Sequence, residues 1–146
     1  MEIDVTIEGA DRLIQRLQSM GANTDVFIDR ALEKGAKRMQ AEIKVNTPVD
    51  TGDLRNSISV EKAGHLRYQI GTNKEYAVPV EYGTGKFGDP TVDHTEKESW
   101  VYFSDKLGHY VTSHGHPPTH FMHNSFIASK DDTVEVIKKE LMKWLT

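Results

Sequence analysis

The segment Thr47-Pro-Val-Asp-Thr-Gly-Asp-Leu-Arg-Asn-Ser-Ile58 constrains the fold more than any other part of the chain. Proline disfavours helical geometry in the residue before it, so Thr47-Pro48 stops the helical pattern upstream. Asp50 or Thr51 can accept backbone N–H groups and start a new helical turn. Gly52 permits a tight approach at that corner. Leu54 and Ile58, one helical turn apart, anchor a face to a core before the alternation Ser57-Ile-Ser-Val60 opens a strand. Helix, corner and strand therefore follow in a fixed order. Pro48, Asp50, Thr51, Gly52, Leu54 and Arg55 are expected to hold that corner rather than to act on a substrate.

Upstream, Ile28, Leu32, Gly35, Met39 and Ile43 recur every three or four residues, the spacing of one helix face. Phe27, Ala31 and Ala36 widen the stripe, Asn23 or Thr24 can cap it, and a helix is predicted over 24–46. Gly35 inside that helix points to a close contact with another element. Before it, Ile3, Val5 and Ile7 alternate as in a half-buried strand, Gly9 closes the run, and Asp11 to Gly21 reads as a short helix around Leu13, Ile14 and Leu17. After the corner, Ile58-Val60 and Leu66-Tyr68-Ile70 form a hairpin around Ala63-Gly64-His65.

Pro79 excludes a central strand across Tyr76-Ala-Val-Pro-Val-Glu-Tyr-Gly-Thr84, and a brief helical turn ending at Gly83 fits instead. Residues 84–99 read as a long exposed loop. Trp100-Val-Tyr-Phe103 and His109-Tyr-Val-Thr112 make a second hairpin, with alternate aromatics of Trp100, Tyr102, Phe103 and Tyr110 expected in a core. A last helix follows Pro117-Pro118, capped by Thr119. It carries Phe121, Met122 and Phe126, then Val134, Ile137, Leu141 and Trp144 or Leu145, with Ser129-Lys-Asp-Asp132 as an interruption.

The fold class is thus α+β. An antiparallel sheet of four to five strands packs against a long helix in the N-terminal half and a long C-terminal helix. One domain over 1–146 is expected, with 84–116 as an inserted loop and hairpin. A chain of this size buries roughly 68–70% of its unfolded surface, enough for a real core. The formal net charge of −4 argues against an overall cationic grip on nucleic acid. The absence of cysteine excludes disulfides and thiolate metal sites, and fits a reducing compartment or a virus particle. The acidic, alternating N-terminus does not read as a signal peptide, and no apolar run is long enough to cross a bilayer.

Reaction chemistry is scarce. His109, His114, His116, His120 and His123 cluster in sequence, but without a His-Glu-x-x-His helix or a cysteine pair they read as surface histidines around a proline bend, not as ligands. A metal-dependent hydrolase using that cluster with Asp93 is the enzyme alternative. Asp93-His94, Glu96 and Glu98 read as solvated loop charge. Gly83-Thr-Gly-Lys-Phe-Gly88 lacks the spacing and the hydroxyl of a phosphate loop, and no nucleophile elbow occurs. No catalytic residue, cofactor or metal is expected, and the chain does not read as an enzyme.

Three blocks stand in order: the corner segment 47–58, Gly71-Thr-Asn with Tyr76-Ala-Val-Pro-Val-Glu-Tyr-Gly-Thr84, and Pro117-Pro-Thr-His-Phe-Met122. Together they resemble the small head–tail joining proteins of long-tailed, siphovirus-type bacteriophages and prophages, also called tail-completion or minor tail-component proteins. The third block departs from that family's pattern at His120 and His123. The hairpin at 100–112 looks like an insertion seen in members from phages of Gram-positive hosts.

The resemblance implies a structural virion protein of the neck and tail, assembled in the host cytoplasm. It implies a ring, commonly six-fold, built from subunits that are monomers in solution. Head-completion proteins and tail-terminator or tail-tube proteins would be its neighbours, with DNA only passing through the lumen and no membrane involved. A tail terminator or a head-completion stopper of similar fold is the alternative role. Tyr82, Gly83, Thr84, Phe87, Trp100, Tyr102 and Tyr110 are the candidate partner interface.

Overall fold

A computed structural model describes residues 1–5, 15, 16, 19 and 24–144. The short helix expected over 11–21, with Leu13, Ile14 and Leu17, falls almost wholly outside the described residues, as do Ile7, Gly9 and Leu145. The described elements are α+β, as expected. They are β1 (Glu2–Val5), α1 (Thr24–Asn46), α2 (Asp53–Ser57), β2 (Ser59–Gly64), β3 (Arg67–Gly71), α3 (Ala77–Tyr82), β4 (Trp100–Ser104), β5 (His109–Ser113) and α4 (Phe121–Met142). The five strands are apportioned between two antiparallel sheets, one of three strands in the order β1-β3-β2 and one formed by β4 and β5. The chain divides into two compact units, residues 1–74 with 122–146, and residues 75–121.

In the first unit α1 lies across all three strands of the larger sheet. Its whole predicted stripe is buried: Ile28, Leu32, Gly35, Met39 and Ile43, with Ala31 and Ala36 beside them. Asp25 in its first turn and Lys44 in its last both complement the helix dipole. Against this face the sheet buries Val5, Tyr68 and Ile70. Register places Ile70 opposite both Ile3 and Val60, so the central strand brings its neighbours' apolar residues together. The turn between β2 and β3 comes later than the sequence suggests. A bulge between Lys62 and Gly64 shifts the register, and Leu66 takes the tight turn at φ 50.

Tyr68 carries the polar link between sheet and helix. Its hydroxyl donates to Asp29 at 2.9 Å, and Lys62 Nζ reaches the other oxygen of Asp29 at 2.7 Å. Lys62, then the phenol, hold the Asp29 carboxyl below its usual range. Burial first, and the Asp29 hydrogen bond second, push the Tyr68 phenol up to about 12 from 10.0. A raised folded-state pKa means that this contribution to stability is complete below pH 10 and is lost as pH rises towards 12. The melting temperature should therefore fall over that window, and Tyr68→Phe should flatten the fall. An equally steep profile in the variant would remove Tyr68 from the explanation.

α4 runs antiparallel to α1, as the pairs Asn46–Ser125, Arg38–Asp132, Lys34–Glu140 and Phe27–Trp144 show. Its buried stripe keeps Phe121, Met122, Ile137 and Leu141 as expected but differs between them. Ser125, Ser129, Thr133, Ile137 and Leu141 are buried at every fourth position, whereas Val134 is exposed and Phe126 half-buried. Small hydroxyl residues allow close approach: Ser129 Oγ donates to Ser125 O at 2.7 Å, Ser125 Oγ accepts from Asn46 of α1 at 3.0 Å, and Thr133 Oγ1 is buried without a hydrogen-bond partner. The interruption expected at 129–132 does not occur. Ser129 bonds within its own helix and Asp132 pairs with Arg38, so the helix is continuous.

Candidate functional site

Helix, corner and strand follow in the order read from the sequence. α1 ends at Asn46, and the buried Thr47 hydroxyl donates to Ile43 O at 2.6 Å, meeting a carbonyl that the ended helix leaves over. Pro48 and Asp50 are exposed. Thr51 Oγ1 accepts the Asp53 N–H at 3.3 Å, and Gly52 turns the chain at φ 89. Leu54 and Ile58 are buried, while Arg55 points to solvent. Gln40 of α1 donates to Ile58 O at 2.9 Å and fixes the start of β2.

Two residues outside the expected set join this corner. Ser57 Oγ donates to Leu54 O at 2.6 Å and lies 2.6 Å from Thr72 Oγ1, which also accepts the Lys74 N–H. Thr72 N–H in turn reaches Met1 O at 3.2 Å. Thr72 stands in the second sequence block as part of Gly71-Thr-Asn, but its pairing with Ser57 depends on strand register. A cleft of about 380 Å³ opens beside them, lined by Glu2, Ser59, Glu61 and Gln69 among others. It offers two carboxylates and amide and hydroxyl groups, with Glu2 engaged by Gln69 at 3.3 Å.

The second unit holds all seven residues expected to form a partner interface, in two environments. Tyr82, Gly83 and Thr84 are built into its frame. Every carbonyl from Pro79 to Tyr82 is capped: Gly83 N–H reaches Pro79 O, Thr119 N–H reaches Val80 O, His120 N–H reaches Glu81 O and Asp89 N–H reaches Tyr82 O. Gly83 has φ 77, and a Cβ there would stand 2.7 Å from His116 O, so only glycine fits. Thr84 pairs with His116 in both directions. The strap 116–120 thus lies along α3 and the residues that follow it.

Phe87, Trp100, Tyr102 and Tyr110 form the other group. Trp100 is half-buried, with its ring near Gly85. Phe87 is exposed, and so are Val101, Tyr102, Phe103, Leu107 and Tyr110. The expectation that alternate hairpin aromatics enter a core fails: Tyr102 and Phe103 point to opposite faces, yet stand 48% and 50% exposed. Alternation separates the two faces of a ribbon, but only a covering layer makes one of them core. Phe103 and Tyr110 instead meet each other edge-on at 5.3 Å across the ladder.

The histidines scatter, and among the described residues no three His, Cys, Asp or Glu side chains converge to hold a metal ion. His94 Nδ1 lies 2.7 Å from Val92 O, and His116 Nδ1 lies 3.2 Å from Pro117 O. His120 stands between the buried Glu81 and Asp89, at 3.9 and 3.5 Å, with the Tyr82 ring edge-on at 6.1 Å. Sequence reading missed this trio because its members lie on a helix, a loop and a strap. The hydroxyl and then the backbone N–H of Thr91 hold the Asp89 carboxyl below its usual range, with His120 and His94 adding charge.

The frame from the segment before α1 through the corner, β2, β3 and α3 coincides with a known family model. The family described as "Bacteriophage HK97-gp10, putative tail-component" matches residues 11–83, half of the chain. The chain belongs to this family. No curated protein and no solved structure matches it closely enough to add a further relative. Membership makes the protein a structural component of a bacteriophage tail, located in the virion. The match ends at Gly83, so the exposed hairpin and α4 lie beyond it. Among the described residues no helix is long and apolar enough to cross a membrane.

Proposed function

We propose that this tail component completes the tail at its head-proximal end and joins head to tail as one subunit of a ring around the DNA passage. The observation that carries the reading is the β4–β5 hairpin. Val101, Phe103 and Tyr110 share one face and are exposed by 65%, 50% and 72%, and Tyr102 on the other face is 48% exposed, so the ribbon leaves large side chains open on both faces. A two-stranded ribbon is marginal alone, and contiguous exposed apolar surface marks an interaction site. A head-to-tail ring needs two unlike faces on each subunit. The hairpin, with Phe87, Trp100, Tyr102 and Tyr110, supplies one, and Tyr82, Gly83 and Thr84 hold the frame from which it projects. The corner from Pro48 to Arg55 is structural, keeping α1 and the larger sheet in register. The single domain with an insertion over 84–116 remains our reading of the organisation.

Phage lacking this protein should yield filled heads and separate tails. Complementation with Tyr102→Ser/Tyr110→Ser should restore soluble protein of normal stability but reduce joined particles at least about tenfold, as loss of aromatic anchors does at interfaces. Normal infectious particles in either case would end the proposal. Recovery of the wild-type protein on free heads rather than free tails would instead favour a head-completion stopper.

A further inference from the structure

We propose that the β4–β5 hairpin pairs edge to edge with the hairpin of a second copy of this chain, the outer edge of β5 in one subunit meeting the outer edge of β4 in the next. The proposal rests on the ring reading above and extends it, because the two edges of one ribbon then serve as the two unlike faces of the subunit. A strand edge carries unpaired N–H and C=O groups, and proteins blunt such edges with charges, bulges or proline unless another strand is to pair there.

The two edges of the larger sheet are blunted. β1 carries Glu2 and Asp4, and β2 carries Glu61 and Lys62 with a register shift between Lys62 and Gly64. The ribbon has none of these devices. Its strands, Trp100-Val-Tyr-Phe-Ser104 and His109-Tyr-Val-Thr-Ser113, contain no Asp, Glu, Lys, Arg, Pro or Gly. The residue pairs run from Trp100–Ser113 to Ser104–His109 without a bulge. Among the described residues no further strand pairs with either outer edge. His109 Nδ1 lies 3.0 Å from Tyr110 O, but that ring is itself exposed and stands beside the turn.

The occupant is set by the ribbon itself. In an antiparallel pair every second residue bonds across the ladder, and the residues between aim their N–H and C=O groups outward. An uncharged strand offers no counter-charge to a charged partner and no repulsion to its own repeat. β4 and β5 are each five residues long, so one covers the other end to end. They also run in opposite directions. Turning one hairpin about an axis along its strands therefore sets its β5 antiparallel against the next β4, with Val101, Phe103, Tyr110 and Thr112 continuing on one face. Pairing of like edges would close after two copies, whereas unlike edges add head-to-tail and build a ring in which no ribbon edge is left open. A ribbon that is marginal as two strands becomes part of a continuous sheet.

Disulfide trapping in assembled particles reads the contact, since the chain has no cysteine of its own. Phage lacking this protein are complemented with equal amounts of a β4 variant and a β5 variant: Val101→Cys with Thr112→Cys, and for a staggered ladder Phe103→Cys with Thr112→Cys or Val101→Cys with Tyr110→Cys. Mild oxidation should give a covalent dimer in at least one mixture and in no variant by itself. In wild-type particles every second ribbon amide should exchange at least about tenfold more slowly than in the isolated protein, as amides do when they enter a ladder. Joined particles with no dimer in any mixture and unchanged ribbon exchange would overturn the edge pairing and leave the joining role standing. Slowed exchange without a dimer would assign the edges to a strand of another virion protein, and a dimer from one variant by itself would assign them to like-edge pairing; either result overturns the proposal. Particles that join normally without the protein would remove the joining role, and the ring contact with it.

Discussion

Gly35→Leu should destabilise the protein by about 2 kcal/mol, a result opposite to what helix propensity alone gives. In an exposed helix interior the exchange would favour leucine by up to ~1 kcal/mol. Here a Cβ on residue 35 would stand 2.6 Å from Ile137 Cγ1, 2.8 Å from Ile137 Cδ1 and 3.3 Å from Thr133 Cγ2. Ile137 is β-branched and buried, so it cannot swing clear without leaving its rotamer. Overpacking of this kind costs typically ~1–3 kcal/mol and occasionally more, which outweighs the propensity gain. For a domain of this size the melting temperature should drop by roughly 6 °C. The decisive control is Gly35→Leu/Ile137→Ala, where the removed side chain makes room. It should recover at least half of the loss relative to Ile137→Ala alone. Full additivity of the two changes would show that the α1–α4 contact is not what excludes a side chain at 35.

That contact also marks how far the sequence could be read. Gly35 within an otherwise regular stripe signalled a close approach, and α1 takes the predicted bounds, because its periodicity and its Thr47-Pro48 stop are local facts. The corner was legible for the same reason. Proline, the Thr51 hydroxyl and Gly52 act within a few residues of themselves. The partner stripe on α4 was legible only in part: Phe121, Met122, Ile137 and Leu141 are buried as expected, but the residues between them are not the expected ones. A hydrophobic pattern points to Val134, while the helix turns Ser125, Ser129 and Thr133 inward.

Burial of a hydroxyl depends on an acceptor, and Ser129 finds one within its own helix. The hairpin was legible as two paired strands but not as an uncovered one, since coverage is a property of other elements. Likewise the His120 environment needed the fold, because Glu81, Asp89 and His120 approach only once the strap returns along α3. The family match stops before that return, and it covers the part of the chain where local signals were strongest.

Ile70→Ala should cost about 3 kcal/mol, within the range for deleting a buried aliphatic side chain. Ile70 is fully buried on the central strand, opposite Ile3 on one side and Val60 on the other. It faces the stripe of α1, so its loss leaves a cavity that three strands and a helix would have to close together. Strands held in register by two ladders cannot collapse independently, which keeps the cost high. Thermal or denaturant unfolding checks the figure, and a loss below ~1 kcal/mol would mean that the sheet relaxes around the gap. The hairpin supplies the contrast. Tyr110→Ser removes a larger side chain, but one that is 72% exposed, and should alter unfolding of the isolated protein by no more than about 0.5 kcal/mol. Two strands of similar composition thus respond oppositely. β3 buries its apolar residues in the core, whereas β4 and β5 leave most of theirs exposed.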